Sequence, residues 1–126
     1  MTKIAKLAAE CVKDFEKNVQ DSSERKKYVS RIKGLGSLIV QNGLAGAIVF
    51  IKAKEKGQAG KAILDHLNKI IEEKTGEKDF VEKITNPDNT EEIMQSKYLQ
   101  IQMTALEGVK WLRRYADILL SEEETQ

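Results

Sequence analysis

The sequence is poor in the residues that most often mark a catalytic or a disulfide-stapled protein. Its 126 residues include one cysteine, one histidine and one proline, and aromatic residues make up 6% of the chain. A single cysteine cannot form an internal disulfide, which is the usage expected in a reducing cytosol. Because Cys11 falls on the apolar side of the first predicted helix, we interpret it as a small core residue.

Long apolar runs are also missing. The longest is Leu44–Ile51, far short of the ~20 residues that a membrane span needs. The first residues, Met1–Lys6, lead into an amphipathic helix and not into the apolar segment of a signal peptide. We therefore expect a soluble, cytoplasmic protein that does not associate with a membrane.

Grouped reactive side chains are scarce. His66 has no second histidine or glutamate at the spacing that places two metal ligands on one helix face, so we interpret it as a structural or surface residue. The carboxylates lie in polar runs typical of solvated helix faces, and no nucleophile elbow or P-loop is present. The sequence predicts no enzyme activity, no metal site and no cofactor.

Charge is plentiful, and its distribution is uneven. Charged residues are 33% of the chain and the net charge is +1. Residues 1–60 carry a balance of +6 and residues 61–126 a balance of −5, and the stretch from Arg25 to Lys54 holds seven basic residues and no acidic one. Such a dipolar molecule can meet a phosphate backbone with one side and a basic protein with the other.

Apolar residues recur at helical spacing along most of the chain. We predict an all-α protein, a compact bundle of five to six helices around a long C-terminal helix, forming a single domain over residues 1–126. Residues 121–126 are expected to be a frayed acidic tail. We place turns near Asp21, which offers an N-cap, at Gly57–Gly60 and after Thr75. The predicted helices run over about residues 4–20, 24–42, 44–56, 62–75, 80–84 and 90–120.

The last helix, Thr90–Leu120, is the most apolar. Near its end about two thirds of its circumference is apolar, which predicts a central position in the bundle. We expect Thr90 to cap it. Its remaining side carries Glu107, Lys110, Arg114 and Asp117, with Arg113 on the border.

The segment 44–56 is ambiguous between helix and strand. Its apolar core, residues 48–51, consists of good strand formers. We favour a buried helix because no second strand-like run exists to pair with it. Asn42–Gly43 reads as the preceding helix stop, with glycine in the left-handed position. Gly34 and Gly36 are expected to allow close approach of another backbone.

Eight basic residues are candidates for contact with an RNA backbone, because clustered lysines and arginines neutralise phosphates through counterion release. They cluster on the predicted second helix, at the end of the third and on the exposed side of the last. The alternative, an ordinary solvated face of mixed charge, stays open. The eight are Lys26, Lys33, Lys52, Lys54, Lys56, Lys110, Arg113 and Arg114.

Two stretches point to a family. Gly43–Leu44 opens a helix of small and apolar residues, and Ser96–Lys97–Tyr98 is followed at a distance by the residues 111–116, Trp-Leu-Arg-Arg-Tyr-Ala. This pattern resembles the small-subunit family of the type III-B CRISPR effector complex. Arg113 stands where the family more usually has lysine, and Tyr115 where it has phenylalanine.

The resemblance implies a non-catalytic structural subunit of a ribonucleoprotein complex that acts in antiviral defence. It implies stacking of copies into an inner filament beside the backbone subunits and the polymerase-like large subunit. It also implies a basic face that lies along the duplex of guide and target RNA. The alternative is a helical protein–protein adaptor or oligomerisation module that binds no nucleic acid.

Overall fold

The computed structural model describes residues 2–86, 88 and 95–120, and in these residues it contains five α-helices and no strand. The prediction of an all-α bundle is confirmed, as is the choice of helix for the segment after Gly43. The helices are α1 Lys3–Asn18, α2 Ser22–Lys54, α3 Gln58–Thr75, α4 Phe80–Thr85 and α5 Gln95–Leu119.

Helix α5 lies at the centre of the bundle, since it packs against α1, α2 and α3. Its inward stripe is fully buried, including Ile101, Ala105, Leu112 and Ala116. Other parts of its apolar surface are open to solvent, because Leu99 is 52% and Ile118 72% exposed. The predicted central position of α5 is therefore correct. The sequence, however, suggested that its whole apolar surface would be buried, and part of that surface is exposed.

The close approach predicted at two glycines of α2 is wrong. A Cβ atom placed on Gly34 or Gly36 would meet no atom within 4 Å. The close approach occurs instead on α5, where a Cβ on Gly108 would lie 2.8 Å from Cγ2 of Ile70. Gly108 therefore lets α3 and α5 pack together at a distance that no side chain would allow.

Helix α2 is interrupted at Gly43, whose φ of 76° and ψ of 161° are not helical. The interruption leaves the next backbone N–H groups without partners inside the helix. Helix α5 supplies these partners: Leu44 N donates to Gln102 Oε1 at 2.8 Å, and Ala45 N donates to the Tyr98 hydroxyl oxygen at 2.9 Å. Two side chains of α5 thus cap the second arm of α2.

By length and composition alone, α2 could cross a membrane, because one 18-residue window has a mean hydropathy of 1.7. The fold gives these residues another role. Eight residues of α2 are buried in the protein, from Tyr28 to Ile51, and the helix is broken at Gly43. In this structure α2 is a core helix of the bundle.

Most helix ends lie close to the positions that the sequence predicts. Asp21 caps α2 by accepting from Ser23 N at 2.9 Å, and Gly76 ends α3 in the left-handed conformation. The predicted turn at residues 57–60 is wrong in extent, because α3 already begins at Gln58. It begins there because the Glu24 carboxylate of α2 accepts from Ala59 N at 2.8 Å. The predicted cap at residue 90 and the acidic tail 121–126 lie outside the described residues.

Candidate nucleic-acid interface

His66 lies in the core of the bundle. It is 4% exposed, and its Nδ1 atom lies 2.8 Å from the hydroxyl oxygen of Tyr28. Burial lowers the pKa of His66 to about 4 and raises the pKa of Tyr28. The imidazole is therefore neutral at pH 7, and it shares one buried hydrogen bond with the Tyr28 hydroxyl through Nδ1. This confirms the structural interpretation of His66.

Cys11 is also a core residue, as predicted, and is 3% exposed. Burial raises the pKa of its thiol to about 11, so the reactive thiolate form is rare at neutral pH. Within residues 2–86, 88 and 95–120 no group of three or more histidine, cysteine and acidic residues could hold a metal ion.

The eight candidate cations share one property. All are exposed, and none forms an ion pair with a described residue. Other basic residues are engaged: Arg31 pairs with Glu55 at 2.7 Å and Lys69 with Asp65 at 3.2 Å. The charge of the candidates is therefore available to an external anion.

Four of the candidates converge on one groove. Lys33 of α2 and Lys110, Arg113 and Arg114 of α5 line a cavity of about 470 Å³, which we call the α2–α5 groove. Asp117 is the acidic residue of its wall. The remaining lining consists of Ile32, Gly36, Ser37, Leu106 and Val109. The groove forms where α2 and α5 pack side by side, and the α2 wall includes the small residues Gly36 and Ser37.

Lys52 and Lys56 line a second groove of about 420 Å³ between α2, α3 and α4, together with Lys61. Lys61 is not among the eight predicted residues; its place in the first turn of α3 puts it on the wall of this groove. The acidic residues of this groove already have partners, since Glu55 and Asp65 form the ion pairs given above and Glu82 accepts from Asn68 Nδ2 at 3.0 Å. The predicted residues Lys26 and Lys54 are exposed and line neither groove.

Trp111 is linked to the α2–α5 groove through Arg114. The guanidinium carbon of Arg114 lies 4.9 Å from the centroid of the Trp111 ring, and Lys110 Nζ lies 5.5 Å from it. Both distances fall in the range of cation–π contacts. In the sequence Trp111 stood out only as part of the stretch 111–116, and its contact with two cations was not predicted. The i, i+3 spacing of Trp111 and Arg114 is the signal that could have found it.

Fold and site together define a small all-α protein whose recognisable features are exposed cationic grooves on a helical core. The sequence model of a family described as "CRISPR-associated protein (Cas_Cmr5)" matches residues 1–119. The CRISPR system Cmr subunit Cmr5 of Thermotoga maritima is 42% identical over 123 residues, which cover 98% of this chain and 86% of that protein. No solved structure matches the chain. The chain belongs to the Cmr5 family, which confirms its resemblance to the small-subunit family of type III-B CRISPR complexes.

Proposed function

We propose that this chain is a non-catalytic structural subunit of a type III-B CRISPR effector, and that it contacts the backbone of guide and target RNA with a basic face. Family membership supports the assignment to a Cmr complex. The single observation that carries the RNA contact is the convergence on the α2–α5 groove of four exposed cations that form no ion pair with any residue the structure describes.

Phosphate groups are the ligand class that fits this groove. An exposed, unpaired lysine or arginine gives up no internal ion pair when it meets a phosphate, and it releases the counterions condensed on the RNA. These contacts carry no sequence information, which suits a subunit that must accept any guide. Lys52, Lys56 and Lys61 of the second groove offer a further contact point of the same kind.

The protein partners would be the backbone subunits, the polymerase-like large subunit and further copies of this chain. The surface offers apolar side chains for such contacts, because Val40 and Met103 are each 71% exposed and Ile118 is 72% exposed. A filament requires two different patches that meet head to tail. The non-catalytic role is supported by the burial of His66 and Cys11, which keeps both away from any substrate.

The test compares charge reversals in the assembled effector complex. The variant Lys33→Glu/Lys110→Glu/Arg113→Glu should weaken target-RNA binding and lower the salt dependence of the affinity by about 0.7 to 0.9 units for each phosphate that is no longer neutralised. The measurement is RNA affinity at several salt concentrations.

A matched control reverses three exposed lysines of α1, with the variant Lys6→Glu/Lys13→Glu/Lys17→Glu, which changes the net charge equally but leaves the α2–α5 groove intact. An equal loss of affinity in both variants would point to net charge and not to the groove. Unchanged affinity in the groove variant would contradict the RNA contact itself.

A second candidate, a helical adaptor that binds no nucleic acid, is favoured by the same exposed apolar side chains. Gel filtration of the chain over a range of salt, with and without single-stranded RNA, separates the two. Self-association with no RNA-dependent shift at low salt would support the adaptor.

A further inference from the structure

We propose that Arg114, held over the ring of Trp111, is a stacking platform for an unpaired base, so that the α2–α5 groove prefers single-stranded RNA over duplex. This inference rests on the proposed RNA contact and departs from the family resemblance in one respect, because it assigns an unpaired stretch of RNA, and not the guide–target duplex, to this groove. It also assigns different roles to two neighbouring arginines: Arg114 stacks on a base, and Arg113 contacts phosphates.

The platform has two layers. Trp111 is half-buried and packs against the hydrophobic core, which holds the indole in place. Its ring also contacts Tyr115, with centroids 6.5 Å apart. On this ring lies the guanidinium of Arg114, at 4.9 Å from the centroid, while the same arginine lines the groove. A guanidinium is planar and only weakly hydrated, so it stacks on an aromatic ring and can accept a second flat group on its other face.

Arg113 provides the contrast within the same groove. It is exposed and lines the groove as Arg114 does, but it has no contact with an aromatic ring among the described residues. Arg113 and Lys33 are therefore free to follow phosphates, whereas Arg114 is held by Trp111. The groove thus combines phosphate contacts with one flat surface, the combination typical of sites for single-stranded nucleic acid.

A duplex and a single strand differ in the contacts that they can make with the α2–α5 groove. In a duplex the faces of the bases are covered by their neighbours, so only the phosphate contacts remain available. A single strand can turn one base onto the Arg114 guanidinium without breaking a base pair. The single strand therefore makes the phosphate contacts and the stacking contact together, and it should bind more tightly at equal charge.

The test uses the full chain and three RNA probes: a short oligouridine strand, the same strand with abasic residues, and a blunt duplex with the same total number of phosphates, which should bind no more tightly than the abasic strand. Stacking of one base on a flat side chain should change the affinity by a factor of roughly five or more. We expect the abasic strand to bind about fivefold more weakly than the intact strand in fluorescence anisotropy. Trp111 is the only tryptophan in the chain, so the intact strand should also quench the intrinsic fluorescence more than the abasic strand does.

The matched pair of variants is Arg114→Lys and Arg113→Lys, which keep the charge and remove the planar group at one position each. Arg114→Lys should abolish the preference for the intact strand over the abasic strand, and Arg113→Lys should leave that preference unchanged. Equal affinity for the two strands in the unmodified chain would overturn the stacking platform and leave the phosphate contact standing. Failure to bind any of the three probes at low salt would instead overturn the proposed RNA contact, and the platform with it.

Discussion

The hydroxyl oxygen of Tyr98 accepts a hydrogen bond of 2.9 Å from the backbone N–H of Ala45, a residue 53 positions earlier in the chain. The N–H of Ala45 belongs to the first turn after the interruption at Gly43, where no carbonyl of its own helix is available. Capping is usually performed by a residue adjacent to the helix. Here α5 performs it, and the contact joins the start of α5 to the middle of α2.

The first prediction concerns this cap. The variant Tyr98→Phe removes the acceptor and leaves the partly buried N–H of Ala45 without its partner, so the free energy of unfolding should fall by about 1 kcal/mol. Urea unfolding at neutral pH measures the change. The control is Tyr115→Phe on the same helix, because its hydroxyl forms no hydrogen bond with a described residue. Equal effects of the two variants would show that Tyr98 contributes only its ring.

The second prediction separates two glycines of α2. Gly43 adopts φ 76° and ψ 161°, a region that is essentially restricted to glycine. Gly43→Ala should therefore lower the free energy of unfolding by about 1–3 kcal/mol. Gly34 is helical, and a Cβ placed there would meet open space. Gly34→Ala should raise the free energy of unfolding by up to about 1 kcal/mol. Chemical denaturation of both variants tests the opposite signs, and a loss of stability at Gly34 would contradict this interpretation of α2.

The third prediction concerns the contact of α5 with α3. Gly108→Ala would place Cβ 2.8 Å from Cγ2 and 3.0 Å from Cδ1 of Ile70, which is fully buried. Overpacking of this kind should cost about 1–3 kcal/mol of stability. Ile70→Ala removes the obstructing atoms, so the double variant should lose less stability than the sum of the two single variants. A strictly additive double variant would show that the two side chains do not meet.

The fourth prediction is a pH dependence set by His66. The unfolded chain takes up a proton at His66 below pH 6.5, whereas the folded protein does so only near pH 4. The free energy of unfolding should therefore fall as the pH drops from about 6.5 to 4, by up to about 3 kcal/mol, with no further loss from this group below pH 4. Burial is the main cause. Asp65 and Asp14 oppose it, and Lys69 reinforces it.

The control for this pH dependence is His66→Asn, whose amide offers the Tyr28 hydroxyl a hydrogen-bond partner near the position of Nδ1 but does not titrate. Acidic residues also titrate near pH 4, so the informative quantity is the difference between the two proteins at each pH. That difference should change between pH 6.5 and 4 by the amount assigned to His66. Parallel curves would mean that the imidazole is not desolvated as described.

Several features could be predicted from the sequence because they depend on residues close together in the chain. The helices follow from the 3.6-residue spacing of apolar residues, and the cap at Asp21 and the stop at Gly76 follow from local backbone preferences. The exposure of the seven candidate cations that lie in helices follows from the same spacing, since the outward face of a helix is determined by its own pattern, while Lys56 lies between α2 and α3. The family resemblance rested on short stretches such as residues 96–98.

Tertiary packing decided which residues of different helices lie next to each other. Periodicity gives the outward face of each helix but not its neighbour, so Lys33 and Arg113, far apart in the chain, share a groove only because α2 and α5 pack side by side. The same holds for Tyr28 and His66 and for the cap of Ala45 by Tyr98. The sequence by itself determined an all-α chain with available basic charge. The packing of the helices brought Lys33 of α2 to the three charges that α5 carries close together, because contacts between distant residues depend on the arrangement of whole helices.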